Sequence, residues 1–272
     1  MDYHQIYKDT NGNEHLSQSE TVRRKFAALR SLYRYLYKNE MINSNPTKKL
    51  NLPKLDEKAI IIMDIDEIAE FLQAVENGRE SASSREKKLH ENALARDLAI
   101  VTLFLGTGLR VSELVGLNRY DIDLDQCTAH VKRKEGKEAY VYFGDEVLET
   151  LTNYLDERNL IEVPDYTVMP DGTRKSNDTD ALFLSNRKTR ITVRSVERLV
   201  KGYAQQAVPN KHITCHGLRR TFGTRLYEET RDINVTAEYL GHKNISTTRD
   251  HYVTTSEDIM KEHRNTVKIH TP

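Results

Sequence analysis

The sequence is short of several things, and each shortage closes off a class of protein. It has only two cysteines, Cys127 and Cys215, far apart and without metal-type spacing, so neither a disulfide framework nor a cysteine-based zinc module is expected. No apolar run approaches the roughly 18 residues a membrane helix needs. The first residues, MDYHQIYKDTNGNEHL, do not have the basic-then-apolar order of a secretion signal, and a cytoplasmic location is expected. There is no internal repeat and no low-complexity tract. His212, His216, His242 and His251 form no HExxH-like pair, and no carboxylate stands beside His216 or His242 at ligand spacing, so no metal is assigned. No cofactor is assigned either.

Net charge is also lacking: 41 basic residues face 41 acidic ones. The balance hides a strong segregation. Residues 21–58 hold ten Lys or Arg against three acidic residues, and residues 185–225 hold ten against Glu197 alone. A polyanion responds to the local field rather than the sum, so both blocks are candidate nucleic-acid faces. Solvated helix faces are the plainer alternative.

What is present is a chain of 272 residues with 38% hydrophobic content, enough to bury a core. Residues 1–18 read as frayed or partly ordered. In residues 19–39, Val22, Phe26, Leu29, Leu32, Tyr33 and Leu36 recur at helical spacing. NSNPTKKLNLPKLD reads as a linker. A capped helix follows from Asp64 or Asp66, then a polar loop GRESASSREKKLHE, then a helix over 93–106. GTGLRVSELVGL places a glycine turn before a short helix opened by Arg110. CTAHVKRKEGKEAYVYF is a β-hairpin with glycine in its turn. Helices are expected over 147–155, 192–207 and 216–229, with another starting at 235. A polar connection and the short buried run ALFLS lie between the first two. The fold class is mainly α with a small antiparallel sheet. The expected domains are 1–58, a helical region with its linker, and 59–272.

The residues that carry chemistry are arginine, lysine, histidine and tyrosine in a fixed order. His216 and Arg219 lie three apart in HGLRRTFGTRL, on one helix face. Arginine grips two phosphate oxygens at once. Arg110 opens a helix after a glycine turn, Lys134 sits by a hairpin tip, and Tyr252 follows LGHKNISTTRDH. One tyrosine among 14 says little. The order Arg110, Lys134, His216, Arg219, His242, Tyr252 says more.

That order resembles the tyrosine recombinases: phage and conjugative-transposon integrases, Xer-type recombinases and transposon resolvases. TGLRVSEL resembles the family's first box and supplies Arg110, with Glu113 as a supporting carboxylate. VKRKEGKEAYVYF resembles its hairpin, with the lysine on Lys134 and Lys137 as the alternative. HGLRRTFGTRL resembles the second box and LGHKNISTTRDHY the third. The resemblance covers residues 60–265, with a weaker match over 19–58. Arg220 stands where many relatives carry a second His. The His242-to-Tyr252 spacing is one residue longer than the Xer-type pattern, which would put His251 at the nucleophile position. His cannot do the oxygen chemistry, so Tyr252 is chosen.

The resemblance implies a recombinase catalytic domain plus a short or truncated helical core-binding domain. It also implies site-specific recombination through a 3′-phosphotyrosyl intermediate and a Holliday junction. Arg110 and Arg219 would clamp the phosphate, His216 would accept the tyrosine proton, His242 would hold the phosphate, and Lys134 would be the general acid. The implied partners are double-stranded DNA with specific sites, further copies of the chain as a tetramer on paired sites, and accessory DNA-bending proteins; no membrane is involved. Arg23, Arg24, Arg30, Lys48, Lys137, Arg190 and Arg194 are expected DNA contacts. Integration, excision, and resolution of dimers or cointegrates all fit. The rivals are a type IB-like topoisomerase or nicking enzyme, a DNA-binding regulator without catalysis, and a helical scaffold with chance motifs.

Overall fold

The structure, a computed structural model, describes residues 6–8, 14–16, 19–50, 61–78, 83–133, 136–168, 173–176 and 178–241. The chain divides into two compact units, Met1–Ala59 and Ile60–Pro272.

In the first unit, β1 (Ile6–Lys8) pairs antiparallel with β2 (Glu14–Leu16), so the stretch expected to be frayed or partly ordered carries a short ladder. Its backbone groups pair with each other, which composition alone did not reveal. Helix α1 (Ser19–Lys38) follows, with Val22 buried and Phe26, Tyr33 and Leu36 half-buried. It ends on Glu40 in a left-handed conformation, φ 56°, with Met41 N–H donating back to Leu36 O. The first part of the expected linker is ordered as a 3-10 turn, Pro46–Lys49. Asn45 caps it by accepting from Thr47 N–H at 2.9 Å, and Pro46 supplies a preset φ. The Arg30 guanidinium donates to Leu50 O and ties this turn to α1.

The second unit opens with α2 (Ile65–Asn77). Asp64, not Asp66, is its cap: Asp64 Oδ1 accepts from Glu67 N–H at 2.9 Å, and Glu67 returns the bond to Asp64 N–H at 2.8 Å. The polar stretch expected as a loop contains a helix, α3 (Ser84–Glu91). With almost no apolar periodicity, it offered no pattern to read. Helix α4 (Leu94–Thr107) is the centre of the core: Ile100, Val101, Leu103 and Phe104 are fully buried, and it packs against α2, α6 (Asp145–Leu160) and α8 (Cys215–Thr230). Each such side chain contributes roughly 1.5–3 kcal/mol on burial. After α4 come the short helix α5 (Val111–Gly116) and an antiparallel sheet of β3 (Ile122–Asp123), β4 (Thr128–Lys132) and β5 (Glu138–Tyr142).

Strand β4 alternates. Ala129 and Val131 are buried, His130 and Lys132 are not, and Lys132 pairs with Glu138 next to the turn. The long polar connection after α6 holds a further short hairpin, β6 (Tyr166–Val168) with β7 (Arg174–Ser176). The run at 181–184 is buried as expected. Tyr154 Oη donates to Leu182 O at 3.0 Å, and the buried Arg158 guanidinium donates to Thr179 O and Ala181 O. The chain continues through α7 (Val193–Ala207), capped by Thr192 and packed on α2, then α8, then α9 (Ile233–Leu240), capped by Asp232. The mainly helical class with a small antiparallel sheet, β3–β4–β5, is the class read from the sequence, and two two-stranded ladders accompany it.

Candidate active site

Arg110 and Arg219 meet at one turn. Helix α4 stops at Gly108, which takes a left-handed φ of 62°. A side chain there would collide with Phe222 and Leu240, so a residue without Cβ is required for two reasons. Two residues later, Arg110 is the N-cap of α5. Its backbone N–H donates to Glu113 Oε2 at 2.9 Å, and its Nη1 donates to Glu113 Oε1 at 2.8 Å. Glu113 is buried, while the Arg110 side chain remains 39% exposed. The carboxylate thus fixes the root and the head of an arginine that faces outward.

Arg219 is different: it is only 3% exposed. Nη1 donates to Gly108 O at 2.5 Å, and Nη2 donates to Leu240 O. Both carbonyls stand at helix C-termini, those of α4 and α9, where unsatisfied oxygens carry partial negative charge. A buried guanidinium is costly unless its charge and donors are met. Two helix ends supply both, and they hold Arg219 in the turn that launches Arg110.

His216 lies in the first turn of α8, exposed, three residues before Arg219. The helix start is fixed by Thr214, whose Oγ1 accepts from Gly217 N–H at 3.1 Å. Lys134, His242 and Tyr252, with the alternative His251, lie outside the described residues. Lys137 is exposed at the hairpin turn, where its carbonyl accepts from Arg133 N–H at 2.6 Å.

The expected DNA contacts fall into separate groups. Arg23, Arg24, Arg30 and Lys48 belong to the first unit. Arg24 is exposed, Arg30 is engaged with Leu50 O, and the Lys48 ammonium stands 5.3 Å from the centre of the Tyr37 ring. In the second unit, Arg194 is exposed on α7, on one face with Arg198 and Lys201. Arg190 turns into the fold instead. It donates to Asp178 Oδ2 at 2.6 Å, to Val115 O at 2.7 Å, to Leu117 O at 2.8 Å and to Asn118 Oδ1 at 2.5 Å. That side chain holds the 178–190 loop to the end of α5.

Arg133 is not among the expected site residues, yet it reaches this site. Its Nη2 donates to Tyr239 O at 3.0 Å, in the last turn of α9. Burial lowers its pKa; Glu113 pulls it back up, and the like charge of Arg110 lowers it further. A signal did exist. In β4, residues 129 and 131 face inward, and 133 shares their parity. Among the described residues no cluster of His, Cys, Asp or Glu is arranged to hold a metal ion. No described helix is long and apolar enough to cross a membrane.

The phage integrase family model matches residues 62–258. A tyrosine recombinase XerC of Thermodesulfovibrio yellowstonii is 33% identical over 229 residues, covering 84% of this chain and 69% of that protein. A tyrosine recombinase XerC of Caldanaerobacter subterraneus is 35% identical over 240 residues, covering 87% of this chain but 60% of the relative. Among solved structures, the Tn1549 transposon integrase in complex with transposon right end DNA superposes with a TM-score of 0.71 at 20% identity, over 92% of this chain and 80% of that one. The chain belongs to the phage integrase family, the tyrosine recombinases. Its match spans between 60% and 69% of the length of these two XerC proteins.

Proposed function

We propose that this chain is a site-specific DNA recombinase that cuts and rejoins DNA through a 3′-phosphotyrosyl intermediate. The observation that best supports this is the Arg110–Arg219 pair. One arginine is locked between two helix ends, and the other is aimed outward by Glu113 from the same turn.

A phosphodiester is anionic and resists an anionic nucleophile. Two guanidinium groups neutralise its nonbridging oxygens and favour the crowded transition state. A free tyrosine hydroxyl ionises only near about pH 10, so the Tyr252 oxygen needs a base, and it attacks phosphorus as His216 takes its proton. The new bond is Oη–P, and the bond that breaks is P–O5′. Lys134 delivers a proton to the departing 5′ oxygen, and His242 holds the phosphate. The link conserves the energy of the broken bond. A 5′ hydroxyl from a partner duplex reverses the step onto a new strand, and no metal or nucleotide takes part.

In this reading Met1–Ala59 is a helical core-binding region, and the exposed basic face of α7 meets the duplex backbone. The protein acts in the cytoplasm as a tetramer on paired sites, through a Holliday junction, in integration and excision or in resolution of dimers and cointegrates.

The test uses a pool of nicked suicide duplexes with a randomised central segment. Wild-type chain is expected to form a denaturant-stable adduct whose recovered DNA defines the site, and Tyr252→Phe is expected to form none. An adduct that persists in Tyr252→Phe moves the nucleophile elsewhere. Absence of any adduct with wild type removes the catalytic reading.

A further inference from the structure

The β4–β5 hairpin carries a charged group that the proposed chemistry leaves without a role. Arg133 follows the last residue of β4, and its backbone N–H closes the hairpin by donating to Lys137 O at 2.6 Å. Its side chain leaves the hairpin altogether. Nη2 donates to Tyr239 O at 3.0 Å, one of the carbonyls that a helix C-terminus leaves unpaired. The guanidinium lies against Gly241, which ends α9 at φ 60° and whose missing Cβ makes the room; a methyl group there would collide with it. Nε is buried and has no hydrogen-bond partner among the described residues. Arg133 therefore does not take its place by satisfying every donor locally. It is held by a helix end through the Tyr239 carbonyl and by its fit against Gly241, while the charge of Glu113 favours its protonated form and that of Arg110 opposes it.

The two ends of this contact have informative neighbours. Lys134 follows Arg133 in the chain, and His242 follows Gly241. We propose that Arg133 is a positioning residue: its guanidinium ties the end of α9 to the hairpin and so fixes the distance between the points where the chain continues into Lys134 and into His242. The inference rests on the reading of those two residues as members of the catalytic set. Arginine suits the task because its planar fork is rigid and offers donors in several directions, and its charge complements the negative end of α9. Lysine keeps the charge but makes a single flexible contact.

The test compares full-length wild type, Arg133→Met and Arg133→Lys in two measurements. The first is hydrogen–deuterium exchange of the free protein. Amides of α9 are expected to exchange faster in Arg133→Met, while those of α4 and α6 keep their wild-type rates. The second is single-turnover adduct formation on the duplex recovered from the randomised pool, at saturating DNA. A displaced catalytic group commonly costs up to a hundredfold, so Arg133→Met is expected to react about 10- to 100-fold more slowly with unchanged DNA affinity, and Arg133→Lys to recover part of that rate. A wild-type rate in folded Arg133→Met overturns the proposal, as does a loss confined to DNA affinity or no restoration by lysine. If wild type forms no adduct, the recombinase reading fails. Exchange then decides the tie alone: faster α9 exchange upholds it, and unchanged exchange overturns it.

Discussion

Glu113 accepts hydrogen bonds from both the backbone N–H and the guanidinium of Arg110, at 2.9 and 2.8 Å. One carboxylate thus caps a helix and aims a cation. The Glu113→Ala variant is expected to lose about 1–2 kcal/mol of stability, the scale of a lost cap with a charged hydrogen bond. Adduct formation should fall further than the folded fraction does, because Arg110 is then free to turn. Urea denaturation and single-turnover cleavage check this; a rate that only follows folding removes the orienting role.

Gly108 is required by its backbone and by its neighbours. Gly108→Ala places a methyl group against Phe222 and Leu240 at a φ of 62°. Overpacking in a tight core costs about 1–3 kcal/mol, with left-handed strain added. Equilibrium unfolding should show the loss, and a stability equal to wild type would contradict the packing described.

The two thiols should react very differently. Burial, with Glu197 adding to it, pushes the Cys215 thiol up to about 12. At pH 8 only about one molecule in 10,000 then carries the reactive thiolate. Iodoacetamide on the native protein is expected to modify Cys127 and to reach Cys215 only after unfolding. Peptide mass spectrometry reads this directly, and rapid native labelling of Cys215 would refute its burial.

The Arg190 hydrogen bond holds the Asp178 carboxyl below its ordinary pKa. A lowered carboxylate pKa adds stability above the unfolded value, and that stability is lost as pH falls through the folded value. Asp178 is 45% exposed, so solvent screening limits the contribution to no more than about 1 kcal/mol. Asp178→Asn should therefore be slightly less stable at neutral pH, and the difference should vanish as acid protonates Asp178 in the folded protein. A difference that persists in acid would trace to packing rather than charge.

The sequence showed the site's skeleton because its signals are local. The glycine turn before Arg110 and the i, i+3 pair His216–Arg219 are each legible within a few residues, and the α2 cap is legible as Asp64 or Asp66. The parts it hid depend on distant partners. Nothing near Arg190 announces that its guanidinium closes on Val115, Leu117 and Asn118. Helix α3 has no apolar stripe to find, and the β1–β2 and β6–β7 ladders are only three residues per strand. Arg133 was hidden by its surroundings. In KRKEGK four basic residues around a turn look interchangeable until strand parity separates Lys132 from Arg133.

That parity also constrains how this hairpin can change length. In β4 the inner positions are 129 and 131, and Arg133 follows on the same side. Deleting one residue between 128 and 131, within β4 itself, would carry Lys132 inward and send Arg133 to the outer surface. Natural length variation ahead of this arginine should therefore come in steps of two, while the turn beyond it, where Gly136 sits exposed with open space around it, can lengthen or shorten one residue at a time.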